Sequence, residues 1–309
     1  MIPLNASPAP IALFVYNRPA HTLETLSYLK KNELAAQSDL YIFSDGPKTE
    51  KDAASVAEVR KIAVEVSGFK MVTLIARERN MGLANSVISG VSQLVSTHGR
   101  VIVFEDDLIS SPHTLEYFNN ALNHYQDEEK VMHISGYIFP LENAQLPETF
   151  FFRAALSWGW ATWARAWKNF EPDVDQLISR FDDEKIKQFS IEGTMNFWKQ
   201  IQDFKAGKNN SWAIRWYASV FLNGGLTLNP SQSLIHNIGH DGSGTHSNIE
   251  HMYGVNLAEH SITHFPAKVE ENPVAYQAIK HFLSRRKGSL LQRLLRLANQ
   301  LTVKYFSKK

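Results

Sequence analysis

Glu105, Asp106 and Asp107 stand side by side at the end of the apolar run Val101, Ile102, Val103 and Phe104. Such a run reads as a buried strand, so its last residues deliver three carboxylates to one sheet edge. Carboxylates withdrawn from water are costly unless they meet a cation, a set of donors or open solvent. A hard divalent ion, Mg²⁺ or Mn²⁺, takes one or two carboxylates and completes its shell with phosphate oxygens and water. The competing reading is a polar exit from strand to loop, and the rest of the chain decides between the two.

The elements that would position this triplet follow from the hydrophobic spacing. Residues 11–16, Ile-Ala-Leu-Phe-Val-Tyr, form a first strand that runs into Asn17-Arg18-Pro19. Residues 40–43 form a second, stopped by Ser44-Asp45-Gly46-Pro47, and residues 71–76 a third, followed by the turn Arg79-Asn80-Met81-Gly82-Leu83. Leu23, Leu26 and Leu29 share one helical face, as do Val56, Val59, Ile62 and Val66; further helices are expected over 84–96 and 114–125, and a strand over 131–135. Strands alternating with helices predict an α/β fold with a mostly parallel sheet covered on both faces. Ligands of such sheets sit at the carboxyl ends of the strands. Asn17-Arg18, Ser44-Asp45-Gly46 and Glu105-Asp106-Asp107 all fall on that rim, and this favours a binding site over a bland loop exit.

The second half changes character. Residues 150–153 read as a strand, and Ser157-Trp158-Gly159-Trp160-Ala161-Thr162-Trp163 is expected to open a helix running to Trp167. Indoles either stack on sugar faces or fill a core, and the turn at Trp158, Gly159 and Trp160 is a candidate acceptor-side wall. Helices are expected over 182–205 and 211–223, and short strands over 226–228 and 233–238. The stretch Gly239-His240-Asp241-Gly242-Ser243-Gly244-Thr245-His246 can bring backbone amides close to a phosphate and fold over a bound nucleotide. In it, His240 and His246 are candidate phosphate donors or metal ligands. These boundaries divide the chain into a nucleotide-binding half (1–135), an acceptor-side half with a covering loop (136–265) and a basic tail (266–309).

Composition narrows the function classes. The 309-residue chain has no cysteine, so disulfide frameworks and thiolate metal sites are excluded. The N-terminal ten residues lack the basic and apolar regions of a signal peptide, and no run approaches the roughly 18 apolar residues that would span a bilayer. Nine of the 32 Lys and Arg lie in residues 280–309, which hold no acid, leaving 23 against 31 acidic residues and a balance of −8 elsewhere. That is not the footprint of a nucleic-acid-binding domain. Leu290, Leu291, Leu294, Leu295, Ala298, Leu301 and Tyr305 share a helical face in the tail, with Arg293, Arg296 and Lys304 elsewhere. A basic amphipathic helix of this kind suits an anionic membrane surface; packing on its own domain or on a homodimer partner is the alternative. A cytoplasmic protein, peripheral on the inner face of the cytoplasmic membrane, is therefore expected.

Taken in order, Tyr16-Asn17-Arg18-Pro19, Ser44-Asp45-Gly46, Asn80-Met81-Gly82-Leu83, Glu105-Asp106-Asp107-Leu108, Ile134-Ser135-Gly136 and Trp158-Gly159-Trp160 with Glu171-Pro172 resemble the GT-A fold glycosyltransferases. The likeness is greatest to the N-acetylglucosaminyltransferase I type, bacterial family 2-like sugar transferases are similar, and it spans roughly residues 9–250. The resemblance implies a sugar moved from a nucleoside-diphosphate donor, UDP-linked above all, to a hydroxyl of a glycan or lipid-linked acceptor in cell-surface polysaccharide synthesis. It implies that Asn17, Arg18 and Asp45 hold base and ribose, with Asn80, Glu105 and His246 also on the donor side. Asp106 would contact the ribose, and Asp107 would bind Mn²⁺ or Mg²⁺ with His246 as a second ligand. The family inverts configuration with an aspartate base, usually between tryptophans. Counting back from Pro230, that context falls on Trp212-Ala213-Ile214-Arg215, which has no acid. Counting from Glu171-Pro172, it falls near Asp182 and Asp183, and Asp241 in the loop is the remaining candidate. Two other readings stay open: a nucleotidylyltransferase of related fold, disfavoured because the first turn is Asn17-Arg18-Pro19 rather than glycine-rich, and a non-catalytic nucleotide-sugar or glycan-binding relative.

Overall fold

In a computed structural model the described residues are 7–141, 145–239 and 251–285. The first strand, β1 (Ile11–Val15), is buried along its whole length and leads into α1 (Pro19–Leu29), whose proline occupies the first turn where a missing N–H costs nothing. Then follow β2 (Asp39–Ser44), α2 (Glu50–Glu65), β3 (Met71–Ala76), α3 (Leu83–His98), β4 (Arg100–Glu105) and the short β5 (Leu108–Ser110). A reciprocal capping box between Thr49 and Asp52 starts α2. Stepping outward from β1 to β3 and back to β4 by right-handed crossovers puts α1 and α2 on one face of the sheet and α3 on the other. α3 packs so closely that a Cβ at Gly90 would stand 2.7 Å from the Phe14 ring.

The chain continues through α4 (Thr114–His124), β6 (Val131–Ser135), β7 (Thr149–Phe152), β8 (Trp160–Trp163), α5 (Ala164–Trp167), α6 (Val174–Ser179), α7 (Asp183–Phe189), α8 (Phe197–Lys205), α9 (Trp212–Leu222), β9 (Leu226–Pro230), β10 (Ile235–Asn237) and α10 (Pro273–Arg285). Eight strands form one sheet in the order β3-β2-β1-β4-β8-β6-β9-β7, in which β7 and β8 run against the other six. The expected α/β class with a mostly parallel sheet is what the chain adopts, and the sheet runs continuously through both halves. β5 and β10 pair antiparallel as a separate two-stranded ribbon.

One element differs in type from its expectation. Trp160-Ala161-Thr162-Trp163 is not the start of a helix but strand β8, wedged antiparallel between β4 and β6. All four residues are buried. With both faces of the strand covered, the sequence shows no alternation, and its aromatic and β-branched residues suit a sheet interior. The helix shrinks to the single turn α5. Trp160 itself is fully buried and stacks between His133 and Trp212, at centroid distances of 5.1 and 5.2 Å.

His133 is completely buried in that stack, its Nδ1 accepting from the Trp216 indole N–H at 3.0 Å and its Nε2 donating to Leu156 O at 3.0 Å. Burial pushes its pKa from 6.5 down to about 3, so the folded ring stays neutral where the unfolded one protonates. The unfolded state therefore binds the extra proton between pH 6.5 and 3, and this contribution to stability is lost as pH falls through that window. In chemical denaturation at several pH values, a His133→Asn chain should be less stable at pH 7 and lose less stability on acidification than the wild type. Equal losses would contradict the assignment.

Candidate active site

The parallel register sets the rim. Phe14 lies opposite Glu105, Val15 opposite Ser44, and Ser44 opposite Ala76, so Tyr16, Asp45, Arg77 and Asp106 leave their strands at one level. Because β8 is antiparallel, its beginning, Trp158-Gly159, arrives at the same rim. The register thus brings together clusters that lie far apart in sequence.

At its centre the Arg18 guanidinium faces the acidic triplet, with Nη1 2.9 Å from Asp107 Oδ2 and 3.7 Å from Asp106 Oδ1. The Tyr16 amide donates to Asp106 Oδ2 at 3.4 Å, and the Thr25 hydroxyl of α1 donates to the Asp106 carbonyl at 2.8 Å. From the other side the β5/β10 ribbon delivers Asn237, whose Nδ2 is 3.4 Å from Asp107 Oδ1, while the Ile238 amide donates to the Asp107 carbonyl at 2.9 Å. Gly239 lies directly against the carboxylate: a Cβ there would stand 2.1 Å from Asp107 Oδ2. Only glycine permits that approach.

The ribbon is itself aimed by the tryptophan turn. Gly159 adopts φ +62°, and a Cβ on it would stand 2.7 Å from Ile235 Cγ1 in β10. Trp158 is half-buried, edge-on to Tyr137 at 4.5 Å and close to Tyr253. Of the three residues expected to wall an acceptor, Trp158 keeps exposed surface, Gly159 positions β10, and Trp160 is a core residue.

The second cluster is a clamp. Asp45 Oδ1 accepts from the Gly46 and Met81 amides at 3.0 and 2.8 Å, and Oδ2 from the Gly82 amide at 2.9 Å. Asn80 Nδ2 donates to Gly46 O at 2.9 Å, closing the turn before α3 onto the end of β2. Asn17 Nδ2 donates to Asp52 Oδ1 at 2.9 Å, tying the end of β1 to the start of α2. These hydrogen bonds hold Asp45 and Asn80 in place at the strand ends, with most of Asp45's acceptor capacity used by backbone.

Two of the base candidates, Asp182 and Asp183, belong to α7 and not to the rim. Asp182 caps α7, accepting the Lys185 amide at 2.8 Å and pairing with Lys185 Nζ at 2.9 Å, which holds its carboxyl below the usual range. Asp183 is exposed in the first turn of the same helix. Neither shares a hydrogen bond or ion pair with Arg18, Asp106 or Asp107. Residues 240–250, which hold His240, Asp241 and His246, lie outside the described residues, as does the tail from 286. Among the described residues no helix is long and apolar enough to cross a membrane. Tyr16 was expected only as part of its motif and Gly239 only as part of the loop, and the contacts of Thr25 and Asn237 were not expected at all. The signal for Asn237 was its place two residues before the glycine-rich run.

Charge at the rim is unbalanced. Burial first, then Asp107 and Asp106, push Glu105 up to about 8 despite Arg18. Burial and Asp107 push Asp106 up to about 7, against Arg18 and the Tyr16 amide. Three carboxylates face one guanidinium, an oxygen-rich donor set suited to a hard divalent ion. The raised values mean that the folded rim holds protons that the unfolded chain has released, so without a cation stability falls as pH rises from the ordinary carboxylate range to about 8. A cation must displace those protons. Calorimetric Mn²⁺ affinity should therefore rise between pH 6 and 8, with proton release visible as buffer-dependent heat; a flat affinity across that range would contradict the arrangement. Gly239→Ala should weaken Mn²⁺ binding about tenfold or more through displaced Asp107 while leaving the far-UV spectrum intact, and unchanged affinity would mean that Asp107 is not the ligand.

No family model matches the chain, and no curated protein matches it. Its fold is similar to that of several solved structures. A mannosyltransferase from Pyrobaculum calidifontis, solved with GDP-mannose and Mn²⁺, is 13% identical with TM-score 0.38 over 71% of this chain and 73% of that one. Mouse xyloside xylosyltransferase 1 is 10% identical with TM-score 0.37 over 69% and 80%. S. aureus TarS is 15% identical with TM-score 0.29 over 45% of this chain, which spans only 23% of that protein. With these three TM-scores below 0.5, the chemistry of the site rests on its own geometry.

Proposed function

We propose that the chain is a metal-dependent glycosyltransferase that moves a sugar from a nucleoside-diphosphate donor to the hydroxyl of a glycan or lipid-linked acceptor. The observation that carries this reading is the juxtaposition of Arg18, Asp106 and Asp107 at the carboxyl ends of β1 and β4, where one guanidinium faces a cluster of carboxylates. A diphosphate brings oxygens that complete such an ion's shell. When bound, the ion would neutralise charge developing on the departing diphosphate.

In this reading Asp107 is the metal ligand on the protein side, and Asp106, one residue back and fixed by the Tyr16 amide and Thr25, faces the ribose. Arg18 sets the carboxylate rotamers before the ion arrives and can turn to the phosphates afterwards. Asp45 and Asn80 keep the nucleotide wall rigid through the turn before α3. Trp158 offers the acceptor an aromatic edge. For the base of an inverting reaction we favour Asp241 over Asp182 and Asp183. Asp241 follows Gly239, the glycine set against Asp107, by two residues in the sequence. Asp182 is occupied in capping α7.

A panel of UDP- and GDP-sugars, assayed for nucleoside-diphosphate release with Mn²⁺ and then with excess EDTA, tests the reading. Metal-dependent release is expected. Pyrophosphate release would point to a nucleotidylyltransferase, and binding without turnover to a non-catalytic relative. Asp107→Ala should lower turnover by about a thousandfold, the scale of several kcal/mol of charge stabilisation. It should leave the melting temperature unchanged or raised, because Asp107 is one of the charges that disfavour ionised Glu105 and Asp106. Near-normal turnover in that variant would overturn the assignment.

A further inference from the structure

We propose that Glu33, His113 and Glu116 form a second cation site, of the class that takes Zn²⁺, at the end of α1 remote from the acidic rim. A ring nitrogen of His113 and one carboxylate oxygen from each glutamate lie within 4.8 Å of one another. His113 Nδ1 is 3.2 Å from Glu33 Oε1. Two ligands each about 2.0–2.1 Å from a tetrahedral zinc stand about 3.4 Å apart, so this pair already has the spacing of a coordination edge.

Hydrogen bonding within the protein leaves the group incomplete. Glu116 Oε2 is buried and has no hydrogen-bond partner among the described residues. A buried carboxylate oxygen without a partner is expensive. A protonated His113 would satisfy Glu33 as an ion pair, whereas a cation between the three would also engage the Glu116 carboxylate. The Ser261 hydroxyl lies 3.1 Å from the same His113 Nδ1, and an ion bound there would displace it.

The three residues sit on backbone that is fastened together. The Glu33 amide donates to Pro112 O at 3.1 Å. Asn32, buried, accepts from the Leu115 amide at 3.0 Å and donates to Ser110 Oγ at 3.0 Å. His113 is the N-cap of α4 and Glu116 lies in its first turn. Beside them opens a cavity of about 460 Å³ lined by Ile109, Pro112, His113, His236 and Glu259, which gives an ion a path in and an open coordination position. An imidazole with two carboxylates favours zinc over magnesium, which prefers oxygen ligands alone. Arg18 caps the opposite end of α1, whose 11 residues extend about 16 Å, so the site is distinct from the rim and does not depend on how the rim is read.

The test is calorimetric Zn²⁺ titration of the full chain carrying Asp107→Asn, which removes the rim's contribution, followed by His113→Ala and Glu116→Gln in that background. The expected result is saturable binding of one Zn²⁺ in Asp107→Asn, weakened at least tenfold by either further change, with a Zn²⁺-induced rise in melting temperature that both changes abolish. Absence of saturable binding in Asp107→Asn would overturn the proposal. So would undiminished binding in a folded His113→Ala chain.

Discussion

The interaction on which the rest of the site depends is the unequal pairing of Arg18 with the carboxylates at the end of β4. Buried acids repel one another and are poorly solvated, and one guanidinium 2.9 Å from Asp107 and 3.7 Å from Asp106 does not balance them. Placing such a group in the middle of a sheet edge destabilises the protein taken alone. The surrounding structure tolerates it because the strands beneath, β1 and β4, are among its most thoroughly buried elements. The rim is therefore a site prepared for positive charge, and its stability, protonation and ligand affinity are coupled.

Rigidity around this centre comes from local backbone capture rather than from many ion pairs. Asp45 closes the turn before α3, Asp52 links Asn17 to α2, and Gly239 brings the β5/β10 ribbon against Asp107. Each of these contacts joins a strand end to a neighbouring loop. The ribbon is held in turn by Ile235 against Gly159, so a residue in the tryptophan turn helps set the position of the Asp107 carboxylate. The polar residues of the rim thus divide into Arg18, Asp106 and Asp107, which face one another, and those that hold strand ends to loops.

Much of the first half was legible in the sequence, because alternating apolar runs and helical stripes there are uninterrupted and each strand ends in a polar turn. The rim follows from that alternation, and Arg18, Asp106 and Asp107 do converge. Trp160–Trp163 was not legible: a four-residue strand buried on both faces carries no period, and its tryptophans suit a helix or a strand equally. Nor was the clamp role of Asp45, since a strand-end aspartate looks the same whether it meets a ligand or the next turn's amides. The pairing of Asn237 and Gly239 with Asp107 is a contact across 130 residues or more that only the folded chain displays.

The most direct measurement of the central claim is anomalous diffraction from crystals grown with Mn²⁺ and a nucleoside diphosphate. The expected result is a manganese peak about 2.1–2.3 Å from an Asp107 oxygen, with diphosphate oxygens in the same shell and the ribose beside Asp106. A diphosphate bound at the rim with no manganese on Asp107, or manganese and nucleotide located elsewhere on the protein, would contradict it.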